Sequence, residues 1–155
     1  MKSLRKILSV ISVSSVMILV LSGCGSNSQA KLLALCNEAN SALSVLTTDD
    51  FVPNISADWS QIETTYSGVK SKLEDLSSQA SVLDESQLAR DFSSISKNAG
   101  TLEALASFVQ LVGGSTTYAG DYVLQSEWLS AVNLLTRNEA LRSPSDRTFI
   151  GCKSN

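Results

Sequence analysis

The stretch that decides the fold is WSQIETTYSGVKSKLEDLSSQA, residues 59–80. Large apolar residues recur along it at alternating steps of three and four: Trp59, Ile62, Tyr66, Val69, Leu73 and Leu76. That spacing lines one side of an α-helix with apolar side chains. We therefore predict a helix over residues 57–80, with Ser56 or Asp58 as its N-cap. Such a helix must bury its apolar side against other helices.

Three further stretches have the same period. They predict a first helix over about residues 29–47, a third from Asp84 to the Gly113-Gly114 pair, and a fourth over about residues 118–142. No stretch alternates over a length typical of a strand. Four long helices with short connections predict an all-α protein, an antiparallel up-down-up-down four-helix bundle behind a cleaved N-terminal signal helix.

The third helix has a recognisable start. Asp84 is the predicted N-cap, with Gln87 at the third helical position and with Leu83 and Leu88 placed to contact each other across the first turn. Gly100 lies within the helix, where glycine costs about 1 kcal/mol relative to alanine. It indicates either a kink or a close contact between helices.

The N-terminal residues form a segment of a different kind. Lys2, Arg5 and Lys6 precede an apolar run, residues 7–21. A helix of about 15 residues rises roughly 22 Å, which is less than the ~30 Å of a bilayer's hydrocarbon core. This arrangement is typical of a secretory signal peptide, so we expect the rest of the chain to be exported.

The run ends in Leu21-Ser22-Gly23-Cys24, which resembles the lipobox of bacterial lipoprotein precursors. The resemblance covers residues 1–24. It implies that the Cys24 thiol receives a diacylglyceryl group and that a type II signal peptidase cleaves between Gly23 and Cys24. Acyl chains such as palmitate would then hold the mature chain to membrane lipid. The alternatives are an ordinary signal peptide with a free cysteine nearby, or an uncleaved anchor.

The resemblance also implies a division of the chain and a location. Residues 1–23 would be the signal peptide, residues 24–28 the lipidated cysteine with a short tether, and residues 29–155 the helical domain. The domain would lie at the cell membrane on its extracytoplasmic face. In a cell with two membranes, that face is the inner face of the outer membrane or the cell surface.

Two cysteines remain after Cys24. Disulfides persist outside the cytoplasm, so we predict that Cys36 and Cys152 are bonded and join the first helix to the tail after the last one. The alternatives are two free buried thiols, or two cysteines that are not close together.

Composition excludes several classes of function. Without the signal peptide, nine basic and fifteen acidic residues give a net charge of −6, and no basic stripe is present for a nucleic acid. Histidine is absent, which removes the commonest metal ligand and general base. We predict no metal and no cofactor.

No catalytic pattern stands out either. The adjacent acidic residues Asp49-Asp50, Glu74-Asp75 and Asp84-Glu85 lie at predicted loops or helix ends, where turns and caps account for them. The serines have no histidine to activate them. We predict that the protein is not an enzyme.

Aromatic residues are the remaining candidates for a site. We single out five for contact with a ligand or partner: Trp59, Tyr66, Tyr118, Tyr122 and Trp128. At helical spacing, aromatic residues more often belong to the core. The expected function is therefore a non-enzymatic interaction or structural module at the cell envelope, with an unknown envelope protein as partner. The alternative is a small-ligand-binding lipoprotein with an aromatic-lined pocket between its helices.

Overall fold

The computed structural model describes residues 26–141 and 148–152. These residues form helices and turns, and they contain no strand beyond one isolated antiparallel bridge between Leu141 and Phe149. The helices are, in chain order, α1 (Ser26–Ser44), α2 (Thr48–Phe51), α3 (Trp59–Val82), α4 (Ser86–Leu111), α5 (Ser115–Gly120) and α6 (Tyr122–Thr136). The prediction of an all-helical protein is confirmed.

Helices α3 and α4 pack antiparallel at the centre of the molecule. The Ser77 hydroxyl donates to the Ala89 carbonyl at 2.7 Å, and the Ser96 hydroxyl donates to the Lys70 carbonyl at 3.1 Å. The predicted apolar positions of α3 are all buried, and Ala80 continues them: Trp59, Ile62, Tyr66, Val69, Leu73, Leu76 and Ala80. The three-and-four spacing therefore predicted the buried side of α3 correctly.

Two more long helices flank this pair. Helix α1 packs on α3, where Lys72 and Glu38 form an ion pair. Helix α6 packs on α4, where the Asn98 amide donates to the Leu134 carbonyl at 2.7 Å. One core of buried apolar side chains runs through all four.

The turn between α3 and α4 differs from the prediction. Asp84 has a positive φ of 60°, and the Glu85 N–H donates to the Ala80 carbonyl at 3.0 Å. These are features of a Schellman motif, in which the residue after the C-cap is left-handed. Asp84 therefore ends α3 and does not cap α4. The N-cap of α4 is Glu85, without a side-chain hydrogen bond.

The predicted fourth helix is two helices. The Asp121 carboxylate accepts hydrogen bonds from the Val123 and Leu124 N–H groups. Asp121 is therefore the N-cap of α6, which is a separate helix from the short α5. Helix α6 ends at Thr136, before the predicted end near residue 142. The predicted stop at Pro144 lies outside the described residues.

The first helix also differs at its start. Helix α1 begins at Ser26, so residues 26–28 of the predicted tether are helical. After α1, the segment predicted to be a turn contains the four-residue helix α2.

Three other predictions from the sequence agree with the structure. Asp58 caps α3 through the Ser60 and Gln61 N–H groups, both at 3.1 Å. At Gly100, an added Cβ would lie 3.3 Å from the Lys70 Cδ, so this glycine marks a close contact between helices. Gly113 ends α4 with a φ of 119°.

Candidate functional site

Cys36 and Cys152 form a disulfide, with their Cα atoms 5.4 Å apart. Phe149, three residues before Cys152, is fully buried with its ring 4.7 Å from that of Phe92. The Ile150 N–H donates to the Ala140 carbonyl at 2.7 Å. The tail therefore packs on the helices as predicted, and the bond links it to α1.

The predicted lipidation and cleavage residues, Cys24 and Gly23, lie outside the described residues. The first described residue, Ser26, is already helical. None of the helices within residues 26–141 is both long enough and apolar enough to cross a membrane.

Four of the five aromatic candidates form one buried cluster. The Trp59 ring lies 4.7 Å from the Tyr118 ring and 5.2 Å from the Trp128 ring, and the Tyr66 and Trp128 rings are 5.9 Å apart. The Trp128 contacts are edge-to-face, an arrangement favoured by the quadrupoles of the rings. The structure thus brings Trp59, Tyr66, Tyr118 and Trp128 together as packed core.

The polar atoms of this cluster are held by the protein. The Trp59 Nε1 donates to the Ser115 Oγ at 2.9 Å, and the Trp128 Nε1 donates to the Phe51 carbonyl at 3.1 Å. The Tyr66 hydroxyl donates to the Asp50 carbonyl at 2.9 Å. Within the described parts of the chain, every buried side-chain nitrogen or oxygen has a hydrogen-bond partner.

Burial also shifts the pKa of one member of the cluster, Tyr118. Removal from water disfavours a charged phenolate, and it raises the pKa of the Tyr118 hydroxyl above its usual value. Ring contacts and hydrogen bonds of the cluster join α2, α3, α5 and α6.

Tyr122, the fifth aromatic candidate, is 82% exposed. It lies at one end of a surface groove of about 730 Å³ that follows the outer side of α6 towards Arg137. The rest of the lining is mostly uncharged: Asn98, Gln125, Ser126, Leu129, Ser130, Asn133, Leu134, Asn138 and Glu139. Of the five predicted contact residues, Tyr122 is therefore the one that faces solvent.

Several charged side chains are engaged by other groups of the protein. The Lys70 Nζ lies 3.0 Å from a Glu103 carboxylate oxygen. This hydrogen bond raises the pKa of Lys70 and lowers that of Glu103. Asp50 is buried, and its carboxylate accepts from the Thr47 N–H and hydroxyl at the start of α2. No group of three potential metal ligands occurs in the described part of the chain.

The structure has a second surface that was not predicted from the sequence. We call residues 45–65 and 104–128 the distal end, because they lie at the end of the helices opposite Ser26. At the other end, Lys31 of α1 and Leu83 after α3 line one small groove. Eight large apolar side chains at the distal end are exposed: Val45, Val52, Ile55, Phe108, Leu111, Val112, Tyr122 and Val123. The sequence contained a signal for this surface, because neither segment includes a lysine or an arginine.

The protein was compared with protein-family models, curated proteins and solved structures, and none of them matches the chain.

Proposed function

We propose that the protein is a lipid-anchored, extracytoplasmic lipoprotein that acts without catalysis, as an interaction or structural module at the cell envelope. The observation that carries this proposal is Leu21-Ser22-Gly23-Cys24 at the end of a charged and then apolar N-terminal segment. Cys24 supplies the thiol for a diacylglyceryl group. Two acyl chains give stable membrane attachment, which a single chain does not.

The Cys36–Cys152 disulfide supports export. Disulfides are stable in oxidising compartments and are rare in the cytosol. This bond joins residues 116 apart in sequence and pins a tail that packs on the core. A structural bond of this kind suits a domain that works outside the cytoplasm.

The domain we propose is an antiparallel up-down-up-down bundle of α1, α3, α4 and α6. Its support comes from contacts between successive helices, namely α1 with α3, α3 with α4, and α4 with α6. The short helices α2 and α5 belong to the connections at the distal end.

A structural or interaction role agrees with the aromatic cluster. The indole N–H groups of Trp59 and Trp128 are bonded within the protein, which leaves these donors unavailable for a ligand. The alternative function is small-ligand binding, and its support is the groove beside Tyr122. A small molecule retained by the purified protein in native mass spectrometry would favour that alternative.

The anchor is tested by Cys24→Ala in the full chain. Mature wild-type protein should carry a diacylglyceryl-modified N-terminal cysteine, incorporate labelled palmitate and fractionate with membranes. The variant should lose the label and the modified N-terminus. Cys152→Ala is the matched control, because it removes a different cysteine and should leave labelling intact. An unmodified wild-type N-terminus, or equal labelling of Cys24→Ala, would refute the proposal.

A further inference from the structure

The distal end combines exposed apolar side chains with one sign of charge. Ile55 is 72% exposed and Leu111 is 83% exposed. Apolar residues scattered singly are normal on a protein surface, whereas many exposed apolar residues in one region are typical of an interaction surface. Eight of the thirteen large apolar residues exposed in the described regions belong to this end.

Charge is segregated along the same axis. The distal end contains six acidic residues and no basic one. Four of the carboxylates lie on its surface or at its helix starts: Asp58, Glu63, Asp121 and Glu127. The cations of the described ranges all lie outside the two distal segments: Lys31, Lys70, Lys72, Arg90, Lys97 and Arg137.

Two of these cations are held in ion pairs between helices. Lys70 lies five residues along α3 from the segment 45–65, and its ammonium group is paired with Glu103. Lys72 is paired with Glu38. Among the described residues, no cation lies in the distal segments to neutralise their carboxylates, and like charges gathered at one end repel one another.

The loop that carries Val52 and Ile55 is fixed to the rest of the distal end. The Ser115 hydroxyl donates to the Ala57 carbonyl at 2.8 Å, and it accepts from the Trp59 indole. The loop therefore lies against α3 and the start of α5. The apolar surface exists before a partner arrives, which lowers the entropic cost of binding.

We propose that the distal end is a docking surface for a basic, amphipathic segment of another envelope protein. Apolar residues of that segment would cover residues such as Ile55 and Leu111, and its lysines or arginines would approach Glu127 and Asp121. Charge complementarity selects this occupant, because opposite potentials favour association while like potentials oppose it.

Charge and the proposed anchor disfavour other occupants of the distal end. An anionic lipid surface repels an acidic end. A second copy in a two-fold contact would place acidic ends against each other. A head-to-tail contact would need the end that carries Ser26, which the lipid anchor holds near the membrane. This last step, and the identification of the partner as an envelope protein, rest on the proposed function.

The test uses the full chain purified in a non-ionic detergent, with micelles alone as the blank. The probe is a fluorescent synthetic peptide of lysine and leucine in an amphipathic helical pattern. A second peptide has glutamate in place of lysine. Fluorescence anisotropy gives the dissociation constant of each. We expect saturable binding of the lysine peptide only, weakened by added salt.

Paired variants then locate the binding. Glu127→Lys and the double variant Ile55→Ser with Leu111→Ser should each raise the dissociation constant of the lysine peptide about tenfold. The matched controls at the opposite end, Glu85→Lys and Val82→Ser, should change it less than twofold. All these side chains are exposed, and circular dichroism checks that each variant retains its helices.

Several results would overturn the proposal. These are absence of binding, equal binding of both peptides, or an unaltered affinity in the apolar double variant. Control variants that weaken binding as much as the distal variants would also overturn it. Concentration-dependent self-association that the distal variants abolish would assign the surface to a second copy instead. These results do not depend on Cys24, so a failure here is separate from a failure of lipidation.

Discussion

Lys70 makes three different contacts with α4. Its carbonyl accepts from the Ser96 hydroxyl, its methylenes lie over Gly100, and its ammonium group pairs with Glu103. An added Cβ on Gly100 would lie 3.3 Å from the Lys70 Cδ. The glycine thus leaves room for the lysine stem to cross α4 and reach its partner.

This pair predicts a pH dependence of stability. Glu103 has a lowered pKa in the folded protein, so its contribution is present above its ordinary value of 4.5 and is lost as the pH falls through the lowered pKa. Lys70 has a raised pKa, so its contribution is complete below its ordinary value of 10.5 and is lost as the pH rises through the raised pKa. Glu103→Gln should therefore be slightly less stable than wild type at pH 7.

The measurement is urea unfolding of wild type and Glu103→Gln from pH 7 down to pH 3. The difference in unfolding free energy should shrink as Glu103 becomes protonated. Glu127→Gln is the control, because Glu127 is exposed and forms no ion pair with a described residue. A difference for Glu103→Gln that is constant with pH would contradict the pairing.

The sequence singled out the aromatic residues that form the cluster, but it could not predict their hydrogen-bond partners. The Trp128 indole reaches the Phe51 carbonyl 77 residues away, and the Trp59 indole reaches Ser115 56 residues away. Helical spacing places a ring on one side of its own helix. It contains no information about which loop will present an acceptor, so four aromatic residues proposed for contact proved to be core.

The helices show the same limit at their ends. The spacing of the apolar residues predicted the buried side of α3, because the period of the pattern indicates which residues face a neighbouring helix. The end of α3 was misassigned, because aspartate favours both an N-cap and, less often, a left-handed conformation. Asp84 adopts the second, and only the hydrogen bond from Glu85 to Ala80 distinguishes the two.

Two glycines offer a test of helix geometry. Gly113 ends α4 with a positive φ, and an added Cβ there would lie 2.7 Å from the Thr117 Oγ1. Gly113→Ala should destabilise the protein by more than about 1 kcal/mol. Gly68 lies on the exposed side of α3 with open space around it. Gly68→Ala should stabilise it by about 0.5 to 1 kcal/mol.

Thermal and urea unfolding of both variants measure these changes. The opposite signs make each variant a control for the other, since both replace glycine with alanine. Destabilisation by both, or by neither, would show that the two conformations have been assigned incorrectly.

For the molecule as a whole, the disulfide is the feature most open to quantitative test. A bond that closes a loop of this length is expected to stabilise by about 3 to 5 kcal/mol, mainly through the unfolded chain. Cys152→Ser should lower the unfolding free energy by that amount. Cys36→Ser should match it, and the double variant should cost little more, because both single changes remove the same bond.

Equilibrium urea unfolding provides the comparison, and wild-type protein with dithiothreitol should behave like Cys152→Ser. Additive effects of the two serine substitutions would mean that each cysteine contributes through its own packing and not through the bond.

The fold class and the disulfide were predictable because periodicity and cysteine number are properties of the sequence alone. The two-ended character of the molecule was not recognised. The lysine-free segments 45–65 and 104–128 lie far apart in the chain. They meet because α3 and α4 pack antiparallel and because α6 packs on α4.

The position of the disulfide has a mechanical consequence. Tension applied between the two termini enters α1 at Ser26 and reaches Cys36 after ten residues. From there, the covalent bond transmits the load directly to Cys152. Pulling can unwind the first turns of α1, but the segment between the two sulfur atoms is shielded from the load by the covalent bond.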